Sequence, residues 1–98
     1  MGRVGTVTFS KRLIQCIRLT ADGYTQGQIG AMLGISRRTV LLHLQRARLL
    51  TGAQTTAQLI GICGKLGLLD DGLNRDDYVT VERELFRAEI ERDKNIIS

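Results

Sequence analysis

Residues 25–52, TQGQIGAMLGISRRTVLLHLQRARLLTG, carry the strongest structural signals in the sequence. Thr25, with Gln28 three residues later, has the pattern of a capping box at the start of a short helix. Gly34 ends that helix, because glycine adopts the positive φ of a closing turn without steric cost. Ser36 then caps a second helix. Two short helices joined by so tight a turn predict a helix-turn-helix, the motif that places its second helix in the major groove of DNA.

The second helix, predicted over 37–50, has an inner and an outer side. Three apolar residues recur at helical spacing and are expected to face the core: Val40, Leu44 and Ala47. The outer side then carries Arg38, Leu41, Leu42, Gln45 and Arg48. Since arginine binds phosphate and side chains of the outer face can reach base edges, this face is expected to contact double-stranded DNA.

The residues expected to contact DNA have different tasks. Phosphate contacts are expected from Thr25, Gln26, Arg37, Arg38, Thr39, Arg46 and Arg48. Base contacts are expected from Leu41, Leu42 and Gln45, since leucine can touch a thymine methyl group and glutamine can pair with adenine. His43 has two interpretations, a neutral donor to a phosphate or a partly buried packing residue. Leu41 and Leu42 also allow an alternative, an apolar contact with another protein.

Size and composition favour a binding domain over an enzyme. The chain has 98 residues, 43% of them hydrophobic, which suits one small domain with little room for a catalytic cleft. No set of nucleophile, base and orienting residue can be assembled, and no cofactor is expected. His43 is the lone histidine and Cys16 and Cys63 are far apart, so no metal site is expected.

Charge is distributed unevenly along the chain. Residues 1–69 hold nine lysines and arginines against one aspartate, a formal charge of +8, whereas residues 70–98 hold five basic and nine acidic side chains, a formal charge of −4. Clustered basic residues and a sequence pI near 9.6 are typical of nucleic-acid binding. The acidic segment is expected to lie away from DNA, and its deletion from residue 71 onward is expected to leave the DNA-binding helix folded.

The sequence predicts an all-α fold, four helices and a C-terminal helix, in two parts. Residues 1–69 form the DNA-binding domain, and 70–98 an acidic linker with an amphipathic helix over about 78–96. Two further helices are predicted over 10–22 and from Thr55 onward. The C-terminal helix carries a narrow apolar stripe suited to docking on the core or on a second copy: Val79, Phe86, Ile90 and Ile97. Residues 4–9 could pair weakly as a strand.

The chain shows no signal peptide and no apolar run that would span a membrane. Both cysteines lie in apolar helical patterns and are expected to be buried, reduced thiols. A reducing, aqueous compartment is therefore expected, the cytoplasm, with no membrane partner.

From Phe9 to about Leu66 the chain resembles the C-terminal DNA-binding domain of the LuxR family, also found as free-standing GerE-like regulators. The resemblance rests on ADGYTQGQIGAMLGISRRTVLLHL, residues 21–44, and LLTGAQTTAQLI, residues 49–60. It implies a four-helix domain that binds DNA as a dimer, largely through apolar residues of the fourth helix: Leu59, Ile62, Cys63 and Leu66. The glutamates usual in the family are replaced at Leu13 and Gln28, and the usual lysine at Leu41. A known target sequence therefore does not carry over.

Three function classes follow. The preferred one is a transcriptional regulator that binds specific double-stranded DNA as a homodimer. The second is a phage-like DNA-packaging or assembly component, in which the C-terminal helix forms an oligomer. The third is a protein-interaction adaptor, for instance one that docks on RNA polymerase through Leu41 and Leu42.

Overall fold

The computed structural model describes residues 5–69 and 78–97, and within them the chain is mostly helical. The elements in chain order are β1 (Thr6–Ser10), α1 (Lys11–Ala21), α2 (Gln26–Leu33), α3 (Arg37–Thr51), α4 (Thr56–Lys65), β2 (Tyr78–Glu82) and α5 (Arg83–Ile97). The four helices predicted between residues 10 and 66 are all present within two residues of their expected starts. The largely α-helical fold is confirmed.

Each of the helices α1 to α4 has a residue with a hydroxyl side chain at its N-cap. In each case an N-cap side chain accepts a hydrogen bond from the backbone N–H three residues later, and the four caps are Ser10, Thr25, Ser36 and Thr55. Thr25 and Gln28 complete the predicted capping box, since the Gln28 Oε1 accepts from the Thr25 N–H at 2.9 Å. Each cap satisfies a donor that has no partner inside the helix, which fixes where the helix starts.

Two glycines set the geometry of the turn between α2 and α3. Gly34 has a φ of 71°, the left-handed conformation that closes α2. Gly30 lies in the interior of α2, where a Cβ would come within 2.7 Å of the Ile35 carbonyl oxygen and 3.3 Å of the Arg37 backbone nitrogen. No real Cβ is found so close to a backbone oxygen, so the two helices approach one another only because residue 30 has no side chain.

The core contains residues from every described element. Its fully buried large side chains are Val7, Phe9, Ile14, Cys16, Ile17, Ile29, Val40, Leu59, Ile62, Cys63 and Phe86. Both cysteines are free thiols, as the sequence indicated. Burial raises the pKa of Cys16, with Arg12 opposing it, and burial raises the pKa of Cys63 to about 12. Both thiols therefore remain protonated and unreactive near neutral pH.

A two-stranded antiparallel sheet corrects the prediction of a C-terminal helix beginning at about residue 78. β2 pairs with β1 in the register Thr6↔Glu82 to Ser10↔Tyr78, and α5 begins only at Arg83. The sequence of β2, YVTVE, alternates, and Val79 and Val81 face the core. The alternation and the two β-branched valines favour a strand over a helix.

The C-terminal segment packs into the same core as the helix-turn-helix. Phe86 of α5 is fully buried and meets Phe9 of β1 edge to face, with ring centroids 5.7 Å apart and an interplanar angle of 74°. Ile90 packs against this core as well. Docking of the apolar stripe on the core is thus confirmed for Phe86 and Ile90, whereas Val79 reaches the core from β2. The side chain of Ile97 and the boundary segment 70–77 lie outside the described residues.

No helix within 5–69 or 78–97 is long and apolar enough to cross a membrane.

Candidate nucleic-acid interface

The outer face of α3 is exposed as predicted. Val40, Leu44 and Ala47 are buried in the core, which turns the opposite side of the helix to solvent. The exposed side chains of that opposite side are Arg37, Arg38, Leu41, Leu42, Gln45, Arg46 and Leu49. Leu49, 84% exposed, was not among the residues expected to contact DNA. Its position one turn after Gln45 extends the face along the helix, and the 3.6-residue period would have found it.

The first turn of α3 combines arginines with open backbone donors. The Ser36 Oγ accepts from the Thr39 N–H at 3.0 Å and lies 2.8 Å from the Thr39 Oγ1. The cap leaves the N–H groups of Arg37 and Arg38 at the open end of the helix, where the helix dipole favours an anion. The hydroxyl of Thr39, half-buried and bonded to Ser36, orients this turn.

The start of α2 offers a second, smaller donor set. Gln26 is half-buried there, and the Thr25 hydroxyl accepts from the Gln28 N–H at 3.2 Å. The Thr25 hydroxyl proton is not used by this bond and can be donated to an anion.

Arg48 has a hydrogen-bond partner within the domain. It is half-buried, and its Nη2 donates to the Gln54 carbonyl oxygen at 2.8 Å, across the turn between α3 and α4. Its Nε is buried without a partner among the described residues. Position 48 lies on the flank of α3 that faces this turn. Arg48 thus makes a structural contact that holds the turn, and its expected contact with phosphate stays a prediction.

His43 lies half-buried beside two arginines. Burial lowers its pKa, and the positive charges of Arg12 and Arg46 lower it further, so the imidazole is neutral at pH 7. Arg12 is exposed at the start of α1, and its Nη1 donates to the Leu33 carbonyl oxygen at 3.3 Å. Sequence reasoning missed Arg12 as a member of this surface, because no pattern in the sequence shows that the start of α1 meets the end of α2.

The apolar residues of α4 proposed for dimer contacts face inward. Leu59, Ile62 and Cys63 are at most 1% exposed and belong to the core of their own chain, while Leu66 is half-buried. The first three therefore have no surface to offer a second copy, which corrects that assignment. The exposed side of α4 carries Ala57, Gly61, Gly64 and Lys65 instead. Nothing lies within 4 Å of a Cβ built at Gly61 or Gly64.

Comparison with known proteins decides the family. The sequence profile described as "Bacterial regulatory proteins, luxR family" matches residues 7–60, more than half of the chain. The chain belongs to the luxR family. The matched range in this luxR-family chain runs from β1 into α4 and contains the whole candidate interface on α2 and α3, whereas β2 and α5 lie beyond it.

Curated relatives match the luxR-family part. The transcriptional activator protein RaiR of Rhizobium etli is 47% identical over 53 residues, 53% of this chain and 22% of the relative. The HTH-type quorum sensing-dependent transcriptional regulators VjbR of Brucella ovis and Brucella abortus are each 32% identical over 59 residues, 60% of this chain and 23% of the relative. The chain thus spans less than a quarter of the length of these relatives. No solved structure matches it at a comparable level of significance.

Proposed function

We propose that the protein is a DNA-binding transcription regulator that inserts α3 into the major groove of double-stranded DNA. The observation that carries the proposal is the outer face of α3, on which exposed arginines surround a central glutamine and no carboxylate occurs. Asp22 is the sole acidic residue before position 70. Membership in the luxR family and the names of the relatives support this function.

The affinity for DNA would come from phosphate contacts. The cations of this surface are Arg12, Arg37, Arg38 and Arg46, and the amides at the starts of α2 and α3 add neutral donors. Arg12 is included because its charge reaches His43 in the middle of α3. The neutral His43 can donate one hydrogen bond to a phosphate oxygen.

The choice of base pairs would come from Leu41, Leu42 and Gln45. All three are exposed at the centre of the face; the two leucines lie one turn, and Gln45 two turns, beyond the arginines that start the helix. A leucine at this depth can contact a thymine methyl group, and the Gln45 amide can bond the adenine N6 and N7 positions. A half-site containing A·T pairs follows from this chemistry.

Dimerisation would use the exposed side of α4 and not its buried apolar residues. Gly61 and Gly64 leave open space, and Ala57 lies one turn earlier, so the helix backbones of two copies can approach closely. Two α3 helices would then lie about 34 Å apart, one turn of DNA. Replacing Gly61 with a bulky charged residue would block the contact, whereas replacing Leu59 with a charged residue would unfold the core.

The deciding experiment is selection of bound sites from random duplex DNA, followed by affinity measurements over a range of salt. With 4 to 6 phosphate contacts per subunit, the slope of log K against log [salt] is expected to be about −4 to −5 per subunit. Gln45→Ala is expected to cost about 1–3 kcal/mol on the selected site and little on random duplex. Absence of any duplex binding at low salt would contradict the proposal.

A protein-interaction adaptor is the second candidate. The observation that favours it is the exposed leucine row on α3, of which Leu42 is 51% and Leu49 84% exposed. An adaptor would retain its partner in high salt, because apolar contacts are not screened. A dimer or monomer that binds no duplex would favour this candidate, whereas a steep salt slope supports the regulator.

A further inference from the structure

The last turn of α3 and the first two turns of α5 form the walls of one surface groove. Leu49 and Leu50 of α3 and the C-cap residue Gly52 line it on one side, and Arg83 and Arg87 line it from α5. Leu49 also belongs to the outer face of α3, where it lines a continuous surface with Gln45 and Arg46. The two arginines of α5 therefore lie next to the surface proposed to contact DNA, although α5 lies beyond the family match.

Both guanidinium groups are available to an anion. The Arg83 backbone N–H donates to the Gly5 carbonyl oxygen at 2.8 Å, which fixes the start of α5 against β1. The Arg83 side chain itself is exposed and has no hydrogen bond or ion pair within the described part of the chain. Arg87 pairs with Glu84 at 3.2 Å on the open surface, an arrangement that contributes little and is readily exchanged.

The buried carboxylate of α5, Glu89, is paired with cations that do not line the groove. Glu89 is buried, with its Oε1 3.7 Å from the Lys65 Nζ and its Oε2 3.5 Å from the Arg92 Nη1. Glu91 does line the groove; it lies about 12 Å along the helix axis from Arg83 and about 6 Å, one turn, from Arg87. The end of the groove at the start of α5 thus carries two positive charges against the single carboxylate of Glu84.

We propose that Arg83 and Arg87 bind phosphates flanking the base pairs read by α3, so that α5 extends the DNA interface beyond the luxR-type domain. The proposal rests on the proposed function of α3. It reverses, for these two residues, the expectation that the acidic segment lies wholly away from DNA. The planar guanidinium groups suit phosphate, and their separation of one helical turn allows each to take a different phosphate oxygen or neighbouring phosphates.

The test compares two double variants that remove the same charge from α5. R83Q/R87Q removes the proposed phosphate contacts, and R92Q/K94Q serves as the control on exposed residues that do not line the groove. On a duplex extending ten or more base pairs beyond the selected site, R83Q/R87Q is expected to reduce the magnitude of the salt slope by about 2 per subunit. The control is expected to reduce it by less than half as much.

The outcomes separate this proposal from the proposed function. If R83Q/R87Q changes the slope no more than the control, while Arg46→Ala still reduces it, α3 binds DNA without α5 and the proposal is overturned. If the wild-type protein shows no salt-dependent duplex binding, both proposals are overturned.

A second measurement does not depend on the stability of the double variants. Since Cys16 and Cys63 are buried, a DNA-cleaving iron chelate can be attached selectively to R87C, with K94C as the control. Strand cleavage outside the selected site, stronger from R87C than from K94C, is the expected result. Cleavage from R87C at the level of the control would overturn the proposal.

Discussion

Replacing Phe86 with alanine should destabilise the whole domain. The Phe86 and Phe9 side chains are both 0% exposed and pack against each other edge to face. Truncation would remove the transfer free energy of a fully buried ring and leave a cavity against Phe9, a loss of about 3–5 kcal/mol in the free energy of unfolding. The free energy of unfolding of a small domain is about 5–15 kcal/mol, so the variant should lose a large part of its stability.

The free energy of unfolding is measured by urea denaturation followed by circular dichroism. Leu85→Ala is the matched control, because Leu85 precedes Phe86 on α5 and is 45% exposed. We expect it to cost less than about 1 kcal/mol. A loss below about 1.5 kcal/mol for Phe86→Ala would refute the reasoning, because it would mean that α5 does not complete the core.

The same packing changes what truncation is expected to do. Deleting residues 71–98 removes Phe86 together with Val81 and the partner strand of β1, which leaves Phe9 and Val7 uncovered. The sequence suggested that the DNA-binding helix would survive this deletion. From the structure we expect a truncated protein of much reduced stability.

Three further predictions concern single residues. Gly30→Ala should lower the free energy of unfolding by about 1–3 kcal/mol, because the new Cβ would meet the backbone of the turn. Gly27→Ala on the same helix should be neutral or stabilising, because no atom lies closer than 4.0 Å to a Cβ at that position. Equal effects of the two substitutions in thermal unfolding would contradict this. The pKa of His43 is lowered in the folded state, so the unfolded chain binds the proton at higher pH and the free energy of unfolding should fall as pH decreases from 7 to 5. His43→Gln should show a shallower fall, and a pH profile identical to that of the wild type would contradict the argument. Arg46→Ala should reduce the salt slope of DNA binding without loss of stability, whereas Arg48→Ala should lower the midpoint of unfolding. A lowered midpoint for Arg46→Ala together with an unchanged midpoint for Arg48→Ala would contradict the geometry.

Local signals predicted the first four helices because each depends on neighbouring residues. The positive φ of Gly34 and the hydroxyl cap of Ser36 determine the turn between α2 and α3. The 3.6-residue period of α3 places Val40 and Leu44 on its buried side. The outer face of α3 followed from the same period. These features need no knowledge of the remainder of the chain.

Features that depend on contacts between residues far apart in the sequence could not be predicted from local patterns. Residues 78–82 were expected to be helical, and become a strand because β1 supplies the hydrogen bonds. The α4 residues were assigned to a dimer because apolar side chains on one helix look the same whether they meet their own core or a second copy. The contact of Arg48 with the Gln54 carbonyl group was not predicted, because that group belongs to a turn whose path the sequence does not show.

The pairing of β1 with β2 has a consequence for folding kinetics. Thr8 and Thr80 face one another across the sheet although 72 residues separate them, whereas α1 to α4 form largely from local contacts. Contacts between residues so far apart form late, since closing a long loop costs entropy before the contact stabilises anything. During synthesis, at roughly 5–20 residues per second, Phe9 leaves the ribosome several seconds before Phe86 does. For that interval the helix-turn-helix exists with an uncovered aromatic side chain, and a chaperone that binds exposed apolar segments would find it there.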